Sequence, residues 1–135
     1  PLPNQGGESR GMLETLLDVD GRRVRVVSTH LEYGSVSERR AQAQAVVEHL
    51  QSSAEPTVVM GDLNGEPDDS GLAPLRDAFT DAWEAAGDGD GFTNPSRDPH
   101  RRIDYVFFRS LTAAGAQVGD STASDHLAVQ ADLVP

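Results

Sequence analysis

The sequence holds no cysteine, which excludes disulfides, thiolate metal sites and a cysteine nucleophile. Lysine is absent too: the 11 basic residues are all arginine, set against 22 acidic ones, for a formal charge of −11. A surface of that sign repels phosphate backbones, so broad non-specific nucleic-acid binding is disfavoured unless the basic groups cluster. Arginine itself suits planar, two-pronged contact with phosphate or carboxylate. No apolar run approaches the ~20 residues of a membrane-spanning helix. A basic and then apolar N-terminal region of signal-peptide type is also missing, so the expectation is a soluble chain, cytoplasmic or secreted, with the compartment open. Apolar residues are only 37% of the total and the mean hydropathy is −0.44. They nevertheless fall into compact runs, which marks a folded chain and not a disordered one. A length of 135 residues suffices for one hydrophobic core and not two. The expectation is a single or partial domain over residues 1–135, with residues 1–10 a loose lead-in.

Met12–Val19 and Arg23–His30 are β-rich runs flanking Asp20-Gly21, a hairpin signal. Ser35 with Glu38 forms a capping box, and a helix is expected to follow to about Gln51. Its apolar positions Ala43, Val46, Val47 and Leu50 keep helical spacing. Thr57–Gly61 reads as a buried strand stopping at an Asp-Leu-Asn-Gly turn. Leu72, Leu75, Phe79, Trp83 and Ala86 mark one face of a second helix, begun near Pro74 and ended at Gly87. After a long polar loop over Gly87–Arg102, Ile103–Arg109 is a strand, Gln117–Val118 a short one and Leu127–Leu133 the last. The order predicts an α/β (α+β) fold, a mixed β-sheet with helices on one face.

The polar residues of interest gather at strand ends. His30 closes the second strand, Asp62 and Asn64 follow the third, Asp104 begins the fourth, and Asp125 and His126 precede the last. Loops at strand ends are where α/β layers place ligand sites, because the sheet fixes position and the loop leaves access. Taken singly, Asp62 and Asn64 are ordinary turn residues and His30 a satisfied strand-end histidine. Asp104 is harder to dismiss, since an unpaired carboxylate inside an apolar run is costly. What the bland readings leave unexplained is the set. Ser124, Asp125 and His126 are consecutive and cannot converge as a serine-hydrolase triad. Asp88-Gly89-Asp90-Gly91 fails as a calcium loop, because Phe92 and Pro99 occupy ligand positions. His49 and His100 carry no assigned role. Hard oxygen donors outnumber nitrogen, which favours magnesium or manganese over zinc.

Four segments in order, Ser28-Thr29-His30-Leu31, Val58-Val59-Met60-Gly61-Asp62-Leu63-Asn64, Arg102-Ile103-Asp104-Tyr105-Val106 and Ser124-Asp125-His126, resemble the endonuclease/exonuclease/phosphatase (deoxyribonuclease I-like) superfamily. Gly91-Phe92-Thr93 also resembles that family's aromatic-Thr segment. The resemblance implies the C-terminal half of a four-layer α/β sandwich and metal-dependent hydrolysis of phosphoester bonds with Mg²⁺ or Mn²⁺. It implies that His126 lies beside the scissile phosphate and that Asp104 orients it. Asp62 would align or deprotonate the water and share the metal with Asp125. Asn64 and His30 would hold the phosphate, with Thr93 and Arg102 also meeting substrate.

The family draws an Asn and a metal-binding Glu from an N-terminal half, and neither Glu8 nor Glu14 sits in that motif. The expectation is therefore a site completed by a missing N-terminal half or a second copy. The alternative is a truncated or degenerate member serving as a non-catalytic binding module. Substrate stays open among nucleic acid, a lipid headgroup and a small phosphoester. Arg97, His100, Arg101 and Arg102 form a local basic cluster able to receive phosphate or simply to be solvated.

Overall fold

A computed structural model of the chain describes residues 1–134. Strands β1 (Met12–Val19) and β2 (Arg22–Thr29) form the expected hairpin, turning at Asp20 and Gly21, both at positive φ. Helix α1 (Val36–Leu50) begins at Ser35, whose side chain accepts from the Glu38 backbone N–H and so satisfies one of the helix's free donors. This helix is the crossover that lets β3 (Thr57–Asp62) lie parallel to β2.

The second helix departs from the expectation. A 3₁₀ turn (Ser70–Leu72) leads into α2 (Ala73–Ala78), which stops where Phe79 turns extended at φ −137° and ψ 161°. Thr80–Asp81 then forms a two-residue strand, β4, before α3 (Ala82–Ala86) restarts the helical course. The break has two causes. Thr80 and Asp81 pair with Phe108 and Phe107, and the Asp81 side chain accepts from Trp83 N–H as a fresh N-cap. Strands β5 (Asp104–Arg109), β6 (Thr112–Val118) and β7 (Val129–Val134) complete the chain, β6 being longer than the short strand expected.

The main sheet is mixed, ordered β1-β2-β3-β5-β4, while β6 and β7 form a separate hairpin. Alternation along the strands divides the core. Val27, Val59 and Phe107 pack with Ala43, Val46, Leu50 and Leu75, so α1 and α2 cover one face. Val24, Val58 and Phe108 face the other way, against Ala82 and against Ala113, Ala131 and Leu133 of the hairpin. The hairpin covers only part of that face. Leu13, Leu17, Val19 and Met60 remain exposed, Leu13 at 76%.

Candidate active site

Two strand ends are forced together by one glycine. Gly61 has φ +143°, and a Cβ there would collide with the Thr29 carbonyl oxygen, a conformation and an approach only glycine allows. The ladder continues past both strands: Leu31 N–H donates to the Asp62 carbonyl at 3.1 Å, and Leu63 N–H to the Ile103 carbonyl at 2.8 Å. His30, Asp62 and Asp104 therefore come from three adjacent strand ends, with Asp62 and Asp104 register partners between β3 and β5. Asn64 takes the left-handed conformation, φ +53°, which Asn tolerates better than most residues. Its N–H caps the turn on Asp62 Oδ1 at 2.9 Å.

His126 arrives from the loop before β7. That loop is latched to residues 93–96 by Leu127 N–H to the Thr93 carbonyl (2.7 Å), Ser96 N–H to the Asp125 carbonyl (2.7 Å) and the Ser96 hydroxyl to the Ser124 carbonyl (2.6 Å). Nothing in the sequence marked Ser96 for this; an isolated serine in a polar loop carries no periodic signal. The result is a chain of bonds. His126 Nδ1 lies 2.7 Å from Asp104 Oδ2, and the Thr93 hydroxyl donates to the same oxygen at 2.6 Å. His126 Nε2 is left facing Asp62 Oδ2 at 3.9 Å, and His30 Nε2 lies 3.4 Å from that oxygen on the other side.

Burial raises the Asp62 pKa, and the Asp104 charge adds to it against the Asn64 N–H bond and the two histidines. For His126, burial opposes the charge, but the Asp104 hydrogen bond and the charges of Asp104, Asp62 and Asp125 outweigh it and raise the pKa above 6.5. Both shifts follow from gathering carboxylates and imidazoles out of bulk water.

Of the residues expected here, His30, Asp62, Asn64, Asp104 and His126 are brought together. Three others are placed differently. Arg102, expected to meet substrate, is 5% exposed, donates to Asp81 Oδ2 at 2.6 Å and lies over the Tyr105 ring at 5.0 Å. Thr93, expected at the substrate, is fully buried and donates to Asp104. Asp125 is exposed, with its carboxylate 3.3 Å from the Ser124 hydroxyl. Asn64 is also more committed than expected, because its amide nitrogen donates to the Leu31 carbonyl at 2.9 Å and contacts His30 Nε2 at 3.0 Å.

Asp62, Asp104 and His126 each offer a ligand atom within 4.8 Å of the others, a group able to hold a cation. Asp125 stands outside it. The fit is uneven: Asp104 Oδ2 and His126 Nδ1 already bond each other, whereas Asp62 carries a desolvated charge that a cation would relieve. The cleft over these residues, about 290 Å³, is lined by Gly61, Asp62, Asp104, Ser124, His126 and the chain to Val129.

No curated protein matches the sequence. Solved structures do. An endonuclease/exonuclease/phosphatase from Beutenbergia cavernae DSM 12333 is 29% identical, covering 99% of this chain and 43% of its own, with a TM-score of 0.74. The human Nocturnin catalytic domain with bound sulfate anion is 22% identical, covering 98% and 56%, with a TM-score of 0.72. A mannosyl-6-phosphatase from Bacteroides thetaiotaomicron VPI-5482 is 19% identical, covering 84% and 52%, also at 0.72. The chain thus spans about half the length of the structures it matches. Residues 3–126 match the profile of one family, and the chain belongs to it: the endonuclease/exonuclease/phosphatase family.

Proposed function

We propose that the protein carrying this chain hydrolyses phosphoester bonds with a divalent cation, Mg²⁺ or Mn²⁺, through attack of an activated water. The observation that carries the reading is the Asp104–His126 pair anchored at 2.7 Å beside the partly buried Asp62 carboxylate. In-line attack on a phosphoryl group needs an oriented water, neutralised charge and donors aimed at the phosphate oxygens. Asp62, at the strand end beside His126 and His30, aligns the attacking water or takes its proton. His126, with Nδ1 held by Asp104 and its pKa raised, presents Nε2 toward the phosphate or leaving oxygen, to which it would donate when protonated. His30 is half-exposed and offers a second donor. Asn64 joins them once its contact with His30 is exchanged for one with substrate. A cation held at Asp62 would supply charge neutralisation, with Asp125, expected as a second ligand, exposed on the neighbouring loop.

The similar structures include one named as a phosphatase and one holding sulfate, an anion with phosphate's shape. The exposed apolar strip of the sheet and the half-length match support a further proposal: a missing N-terminal half, or a second copy, covers that face and completes the site. The test is Mg²⁺- or Mn²⁺-dependent turnover of a generic phosphoester by the whole protein, with Asp62→Asn and His126→Ala beside it. Loss in both variants supports the reading. Turnover unchanged in both overturns it, and no cation-dependent turnover in the whole protein leaves the binding-module reading in its place.

A further inference from the structure

The loop before β7 carries His126, yet it has no core of its own. Residues 119–125 are all exposed, and Leu127 is the first buried side chain after them. Apolar packing holds Leu127 and leaves the residues before it to hydrogen bonds. Gly119 N–H closes the base of the loop on the Ala128 carbonyl at 2.8 Å. Among the described residues, every other hydrogen bond from residues 120–127 to the rest of the fold goes to residues 93–96 or to Asp104.

Ser96 is the centre of that set. Its backbone N–H donates to the Asp125 carbonyl at 2.7 Å and its hydroxyl to the Ser124 carbonyl at 2.6 Å, so one residue grips two consecutive carbonyls. The Asn94 amide adds only a long contact to the Asp125 carbonyl, at 3.4 Å. The grip passes on to the histidine, because the Ser124 hydroxyl accepts from the His126 N–H at 3.1 Å. Ser96 itself is buried, whereas the loop it holds lies in water. Beside it is a cleft of about 290 Å³ lined by Pro95, Ser96, Arg97, Thr122, Ser124 and Asp125. Without the hydroxyl, solvent in this cleft can satisfy the Ser124 carbonyl, so the fold loses little while the loop loses its fixed point.

We infer that Ser96 is a positioning residue of the candidate active site: through the Ser124 and Asp125 carbonyls it holds His126 over Asp62 and Asp104. Its hydroxyl is committed to Ser124, so it acts through the loop and not on the reacting atoms. The inference rests on the phosphoester-hydrolase reading and adds to it the residue that aims the histidine. The whole protein is compared with its Ser96→Ala and Ser96→Thr variants in kcat and KM on a generic phosphoester, in Tm, and in amide hydrogen exchange followed by NMR. Ser96→Ala is expected to lower kcat by between about tenfold and a hundredfold, the scale of a displacement of about 1 Å at a reacting group, with KM and Tm level. Exchange quickens at His126 and Leu127 and stays unchanged in α1 and β5. Ser96→Thr keeps the hydroxyl, has the neighbouring cleft for its methyl, and recovers most of kcat. Unchanged kcat or unchanged exchange in Ser96→Ala overturns the inference. So does a loss of kcat that only follows a fallen Tm, or one that Ser96→Thr shares in full. Exchange quickened at the loop in Ser96→Ala, with no turnover by the unaltered protein, sustains the clamp and sinks the hydrolase reading instead.

Discussion

At the scale of single residues, the site sets charge against stability. Asp62 has a pKa above the ordinary 3.8, so its folded state holds a proton more readily than the unfolded chain does. The stability this confers is complete below pH 3.8 and is lost as pH rises through the raised value, leaving a cost at neutral pH. Asp62→Asn is therefore expected to raise Tm at pH 7 without divalent ions, to lose that advantage below pH 3.8, and to abolish turnover. Thermal melts at the two pH values check it. His126 has the same sign in a higher pH window: its raised pKa stabilises the fold fully below 6.5 and less as pH climbs through the folded value. A titration of its ring protons by NMR should give a midpoint above 6.5, falling in Asp104→Asn. Gly61→Ala is a backbone matter, since the new methyl meets a carbonyl that cannot move without parting β2 from β3. It should cost on the order of 3 kcal/mol in urea unfolding, the scale of severe strain at special backbone positions. The sequence announced Asp62, Asn64, Asp104 and His126 as a set because each sits at a strand end. The burial of Arg102 was not legible there, because its partner Asp81 is 21 residues away and carries no local signal.

At the scale of elements, the strands were easier to read than the broken helix. The hairpin, α1 and β3 follow from turn chemistry, a cap and apolar spacing. The stretch from Leu72 to Ala86 kept helical periodicity while Thr80 and Asp81 left the helix to pair with β5. Periodicity counts side chains and is blind to a tertiary partner for the backbone. Asp81 joins the two halves, capping α3 while neutralising Arg102 inside the protein. Removing one partner of a buried pair strands the other's charge, so Asp81→Ala should destabilise by about 3 kcal/mol or more. Arg102→Met alone should also destabilise, while the joint change Asp81→Asn with Arg102→Met should recover part of the loss. Chemical denaturation of the three variants decides this.

At the scale of the whole molecule, the half-covered sheet dominates. Leu13, Leu17, Val19 and Met60 share a face with the carboxylates Asp62 and Asp104, by alternation along β1, β3 and β5. An apolar strip left open on an edge strand invites association. The isolated chain is expected to self-associate as concentration rises, and L13K/L17K to suppress this without shifting the melting curve much, as sedimentation velocity would show. The site and the core are bound by one parity. Asp62 faces Asp104 only in the register that also sets Val58 beside Phe108 and Val59 beside Phe107. A slip of β5 by one residue would turn both Asp104 and its phenylalanines to the wrong sides at once. The Asp62–Asp104–His126 group is thus a fingerprint of correct pairing: a sheet zipped up out of step would scatter that group along with the core, so any signal that reports its geometry also counts the molecules that have zipped up in step.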